Sequence, residues 1–379
     1  MNANVPKKRS QGTYGCVYYP SIPCESSSKI KDNANYITKI QKDNSVMRNE
    51  QEIAIIIQEK IPNYEHYFGP IHDVCEVDLS KLEENNKCDI LNEEKKQVIN
   101  SYRIKYLGES AVDKQLELWH GNLNERDYAM RVIDMIIYVL FSLNKILTDG
   151  EILHNDTKCN NIMYYEKNYS PIIIDFGLSI SLEKGMDKIK LNFQSDKSIF
   201  WLYGFEYMLL NKINTTEKIN VQILKKYLDE FIEKYSFNEY VTESTKSKIK
   251  AGYLNQIDKW TNKQTSIDKN TLFETIFNSS KETWDLYSFM TDLISRINPA
   301  KKGEQPKPEE KHKDTIQEIT KICLDTIVKI SKGTASISST IEEFENLLQK
   351  KAKIGFLINK NPVKTEPRKK FRNGIQNKE

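Results

Sequence analysis

The chain has no apolar run long enough to cross a bilayer. Its most hydrophobic stretch, "VIDMIIYVLFSL" at 132–143, carries Asp134 and falls short of the roughly 20 residues a spanning helix needs. A core helix is the expected use of that stretch. No apolar segment follows Met1 either, so residues 1–8 read as a polar arm, not a secretory leader. Cysteine is sparse: none of the six (Cys16, Cys24, Cys75, Cys88, Cys159 and Cys323) forms a Cys-x-x-Cys pair, and the chain is far larger than a disulfide-stapled mini-domain. Reduced thiols, and an intracellular, cytoplasmic protein, are the expectation. A large excess of charge is missing too, since a net charge of +3 does not require nucleic acid as a partner. No internal repeat is visible.

What is present divides at about residue 107. Before it, "CVYYP" from 16, "YITKI" from 36, "YFGPIHDVCEVDL" from 67 and "SYRIKYLG" from 101 alternate or cluster aromatic and β-branched residues, as strands do. One helix is expected among them, near "RNEQEIAIIIQEK" at 48–60. From about Glu125 the spacing becomes helical, with Ile133, Ile137 and Leu140 four and three residues apart and Ile146 and Leu147 about two turns further on. The fold class is therefore α+β, a small antiparallel sheet with one helix followed by a mainly helical part. Three charged stretches, 80–98, 212–281 and 298–314, read as insertions, and residues 349–379 as a basic, disordered tail. The Lys and Arg clusters of that tail leave nuclear targeting, nucleic-acid contact or anionic-membrane contact open.

Chemistry concentrates in "HNDTKCNN" at 154–161 and "IIIDFGLS" at 172–179. Alone, the first is an acceptable polar turn and the second a buried strand closed by glycine. Upstream, "SQGTYGCVYYP" at 10–20 places Gly12 and Gly15 in a hairpin, with Val17 after them, and glycine lets backbone approach phosphate closely. Lys39 interrupts the apolar strand "YITKI", where an unpaired ammonium is costly. The following helix offers Glu52 or Glu50 as its partner. Glu52 is the first choice, because Ile56 one turn later would then face the core.

The order of these pieces, with Asn161 and Asp175 fourteen residues apart, resembles the eukaryotic-type protein kinase family. "FWLYGFEYMLL" at 200–210 looks like the end of an activation segment, with Gly204-Phe205-Glu206 in place of Ala-Pro-Glu, and "WDLYSFMTDLI" at 284–294 like the buried helix whose Asp285 braces the catalytic loop. The resemblance covers about residues 9–348 and implies a bilobal fold, N-lobe about 9–107 and C-lobe about 108–348. The segment "IPNYEHYFGPI" at 61–71 and a truncated-looking C-lobe broken by insertions are similar to kinases of large DNA viruses, where host cytoplasm and virion are the compartments implied.

By that resemblance the cofactors are ATP and Mg²⁺ or Mn²⁺, and the partners are protein substrates. Asp156 would accept the proton of the acceptor hydroxyl, and Lys158 would reach the γ-phosphate, as in serine/threonine kinases. Asn161 and Asp175 would ligate metal. Lys39, fixed by Glu52, would hold the α- and β-phosphates. Gly12, Gly15 and Val17 would cover the nucleotide, Lys105 and Leu107 would offer hinge backbone, and Ile104 would be the gatekeeper. His154 and Phe176 read as packing residues.

The sequence departs from the family at Ser10, in the first phosphate-loop glycine position, and at Ile37, where alanine is usual. Asn155 replaces an arginine that receives an activation-loop phosphate, so activity without that phosphate is implied. Ser338 stands where an arginine would pair with Glu206. The alternatives are a catalytically silent scaffold and a kinase-like enzyme acting on a small molecule or lipid.

Overall fold

Period-two alternation in the first hundred residues builds a five-stranded antiparallel sheet in the computed structural model, which describes residues 5–358 except 12–14, 26–32, 42–43, 84–86, 90–97, 109, 166–169, 194–201, 235–240, 265–266 and 299–310. Its strands are β1 (Lys7–Gln11), β2 (Gly15–Tyr19), β3 (Tyr36–Gln41), β4 (Ile71–Asp78) and β5 (Val98–Lys105), in the order β1-β2-β3-β5-β4. Neighbouring residues on a strand face opposite sides, so the sheet has two small cores. One lies beneath α1 (Asn44–Lys60) and joins Met47 and Ala54 to Ile71, Tyr102 and Ile104, with Ile37 partly buried against them. The other covers the opposite face with Cys16, Tyr18, Ile40, Cys75, Val77 and Cys88.

The helical part is built on α3 (Glu125–Thr148), capped by Asn124, whose side chain accepts from the Asp127 amide. Its buried residues include Val132, Ile136, Val139 and Leu143, while Asp134 points outward, which explains a charge inside an otherwise apolar stretch. Around it lie α2 (Val112–Asn122), α5 (Phe205–Thr215), α9 (Trp284–Ile297), α10 (Lys313–Ser331) and α11 (Ile337–Ile358), while α4 (Met186–Lys190) is a short turn of helix. Two ribbons, β6 (Ile152–Leu153) with β9 (Ile180–Ser181) and β7 (Ile162–Tyr165) with β8 (Ser170–Ile173), frame the loops near the sheet. Among the described residues no helix is long and apolar enough to cross a membrane.

Several boundaries differ from the sequence expectation. The stretch 212–281 is folded into the body of the protein: α6 (Val221–Lys234), α7 (Glu243–Trp260) and α8 (Lys269–Ser280) bury Leu228, Phe231, Tyr253, Ile257 and Phe273 in the same core as α3. Charge density misled there because the charges occupy the outward faces of amphipathic helices. His312, in the third charged stretch, is buried and stacks on Tyr128 with centroids 4.1 Å apart. Helix α11 runs about ten residues past the expected tail boundary, and the rest of the basic tail, 359–379, lies outside the described residues. At the other end β1 starts inside the expected polar arm.

The expected reduced thiols are also corrected. Cys16 is bonded to Cys88 and Cys24 to Cys75, across sequence separations of 72 and 51. Only Cys159 and Cys323 are free, both buried. Pairs so far apart leave no local spacing signal, because only the fold brings the segments around Cys24 and Cys88 onto β4 and β2.

Candidate active site

Lys39 lies on β3 opposite Val17 of β2 and Tyr102 of β5, with a side chain only 14% exposed. An ammonium there requires counter-charge, and it has two carboxylates: Nζ is 2.7 Å from Asp175 Oδ1 and 3.2 Å from Glu50 Oε2. Burial works against the Lys39 cation, but Glu50 and Asp175 together outweigh it and hold its pKa above the usual lysine value. Burial pushes Glu50 up, and the repulsion of Asp175 helps to keep it up despite Lys39. For Asp175 burial also acts upward, yet the closer contact with Lys39 wins and its pKa is lowered.

The helix partner is therefore Glu50 and not Glu52. Glu52 is largely exposed and meets Lys184 at 2.8 Å. The phase of α1 decides this: Met47, Glu50, Ala54 and Ile57 form the inward stripe, and Ile56 is only partly buried. Asn49 fixes that phase by donating to the carbonyls of Gly177 and Ser179 at 3.2 and 2.9 Å.

The segment 154–161 is held from below by two aspartates of α9. Asp285 accepts from the His154 amide at 2.7 Å, the Asn155 amide at 2.7 Å and the Thr157 hydroxyl at 2.9 Å. Asp292 accepts from the Cys159 amide at 2.7 Å and pairs with Arg296, which in turn donates to Asn160. Asp285 was readable from sequence. Asp292 was missed, although two aspartates seven residues apart on an otherwise apolar helix share a face. His154 is fully buried, bonds the Ile174 carbonyl through Nε2 at 2.9 Å and packs on Phe176, in accord with a packing role.

Fixed in this way, the loop brings its polar ends together. Lys158 Nζ lies 2.8 Å from Asp156 Oδ2, and the Asn161 amide donates to the Asp156 backbone carbonyl at 3.0 Å and to Oδ2 at 2.7 Å. Asn161 thereby uses its nitrogen and keeps its amide oxygen for another partner. Asp175 follows at a left-handed φ of 66°, with Phe176 buried beside it against Phe68. Among the described residues no group of three or more His, Cys, Asp or Glu could hold a metal ion unaided. One carboxylate and one amide oxygen nevertheless suit Mg²⁺, which keeps water or phosphate in its remaining positions.

On the sheet side, Gly12 lies outside the described residues. A Cβ on Gly15 would sit 1.8 Å from the Ile40 carbonyl oxygen, so the approach of β2 to β3 by itself demands glycine there. Val17 shares a strand face with Lys39 by register. Ile104 and Leu107 are buried, and Lys105 ends β5 with its side chain exposed. Between them Tyr106 stacks on Tyr19 with centroids 3.8 Å apart, and its amide bonds the Asn35 carbonyl.

Asn155, also at a left-handed φ, donates to the Leu178 carbonyl and to the Tyr207 hydroxyl, each at 3.2 Å. Glu206 finds a partner the sequence did not reveal: the Tyr253 hydroxyl of α7 donates to it at 3.1 Å. Among the described residues no cation offsets its burial, which pushes Glu206 from 4.5 up to about 7. A raised carboxyl pKa means that the folded chain holds a proton the unfolded chain releases. Stability is then full below pH 4.5 and falls as pH rises through about 7. Glu206→Gln is expected to gain about 3 kcal/mol over the parent at pH 8 and almost nothing at pH 4. Urea unfolding at the two pH values checks this, and an equal gain at both contradicts it.

Searched against descriptions of known protein families and against curated proteins, the sequence matches none.

Proposed function

We propose that the chain is an ATP-dependent serine/threonine protein kinase with a bilobal kinase-like fold, the sheet and α1 forming one lobe and the helical part the other. The observation that carries this reading is the placement of Lys39 between Glu50 and Asp175, beside a loop on which Asp156, Lys158 and Asn161 converge. Phosphoryl transfer asks a protein chiefly to position reactants and neutralise charge. Two aspartates, an asparagine oxygen and two lysines supply that in a small space.

In this reading Asp156 accepts the proton of the acceptor hydroxyl, and Asn161 fixes its carboxylate through Oδ2. Lys158, paired with Asp156 here, would turn to the transferred phosphate, and it favours a protein hydroxyl as acceptor. Lys39 holds the α- and β-phosphates, while Glu50 keeps its ammonium charged and aimed. Asp175 and Asn161 would hold Mg²⁺, which supplies charge neutralisation between the phosphates when bound. Glu52 has no part in this site.

The test is transfer from ATP labelled on its γ-phosphate to a generic basic protein, with Mg²⁺ or Mn²⁺, for the parent chain and Asp156→Ala. Label on serine or threonine is expected for the parent and only background for the variant. No label on protein at any metal concentration defeats the proposal. It leaves the silent scaffold if nothing is labelled, and the small-molecule or lipid enzyme if such an acceptor takes the label.

A further inference from the structure

The sheet face opposite α1 is covered by a piece of the charged stretch 80–98, and that piece grips one hairpin in particular. Residues 87–89 touch both of its strands. From β1, Lys8 donates to the Lys87 carbonyl at 2.8 Å and pairs with Asp89 at 3.5 Å. From β2, Cys16 is bonded to Cys88. Tyr18, two residues on, is pushed up to about 12, by burial first and then by the charge of Asp89. Cys16 and Cys88 are 1% and 3% exposed. The second disulfide, Cys24–Cys75, closes the same face but joins the segment after β2 to β4.

Strand geometry makes the Cys16 anchor informative. Cys16 stands between Gly15 and Val17 and points to the face away from them. A bond at Cys16 therefore restrains the backbone of the residues proposed to cover the nucleotide without entering their space. Two of the links from Lys8, a partly exposed ion pair and a hydrogen bond to backbone, are of the kind that contributes little by itself, whereas Cys16–Cys88 is covalent.

We propose that residues 87–89 are a strap fastened by Cys16–Cys88 that holds the β1–β2 hairpin in its binding position, so that the oxidised protein binds Mg-ATP more tightly than the reduced one. The nucleotide part rests on the kinase reading; the strap rests on the contacts alone. The switching chemistry is exchange with a dithiol. A thiolate of the reductant attacks one sulfur and breaks the Cys16–Cys88 bond, forming a mixed disulfide. The reductant's second thiolate then releases the protein sulfur. Two protein thiols and one cyclised reductant disulfide result, and the two electrons and two protons come from the dithiol.

The experiment compares the full chain before and after dithiothreitol treatment, by Mg-ATP titration and by amide hydrogen exchange of Lys7–Gln11 and Gly15–Tyr19. Reduction is expected to weaken Mg-ATP binding about tenfold and to speed exchange in both strands. Cys88→Ser should match the reduced parent under either condition, whereas Cys24→Ser should keep the redox response. Exchange that reduction leaves unchanged overturns the strap, as do six reactive thiols in the denatured, unreduced chain. A parent that transfers phosphate but binds Mg-ATP equally in both states refutes the redox link and leaves the kinase reading standing. Failure of both forms to bind Mg-ATP removes both nucleotide claims, and exchange then reads the strap by itself.

Discussion

Asp175→Asn is expected to fold as the parent does and to transfer phosphate about a thousandfold more slowly, a loss of about 4 kcal/mol of transition-state stabilisation. Asparagine is the informative replacement because Asp175 has a φ of 66°, a left-handed conformation that asparagine tolerates and alanine does not. The substitution keeps the shape and one amide oxygen but removes the charge that would face the metal. It also leaves Lys39, now paired only with Glu50 at 3.2 Å, with less to offset its burial, so its pKa should fall from its raised value. Melting temperature and transfer rate are the two measurements. A variant that stays folded and keeps more than a tenth of the parent rate contradicts the role assigned to Asp175.

Asp285→Ala should be the most damaging change to the fold near the site. Its carboxylate takes the amides of His154 and Asn155 and the hydroxyl of Thr157, and the side chain is buried. Truncation strands two backbone donors, each unsatisfied group costing about 1–3 kcal/mol. The expected loss is about 3–5 kcal/mol of stability, with transfer lost alongside because Asp156 follows directly on that anchor. Asp285→Asn retains an oxygen for one amide and should recover part of the stability. Denaturant unfolding of both variants checks the order, and equal stability of parent and alanine variant rules out the brace.

Much of the site was legible because its residues are local in sequence. Asp156, Lys158 and Asn161 occur within six residues, and their convergence needs only a loop of fixed conformation. Lys39 was legible because a lysine in the middle of an apolar strand needs a counter-charge. Which glutamate supplied it was not legible. Glu50 and Glu52 differ by a rotation of α1, and that rotation is set by Asn49 reaching Gly177 and Ser179, more than a hundred residues away. The partner of Glu206 was hidden for the same reason, since Tyr253 sits in a stretch whose surface charge concealed a buried stripe.

The sequence by itself determined the alternation of strands, the long apolar α3 and the order of the polar motifs. These depend on period and spacing, which a chain carries locally. Only the tertiary structure decided the face of α1, the inclusion of α6, α7 and α8 in the core, and the pairing of Cys16 with Cys88. Each of those depends on which distant surfaces meet, and no residue records its distant neighbour in its own local pattern.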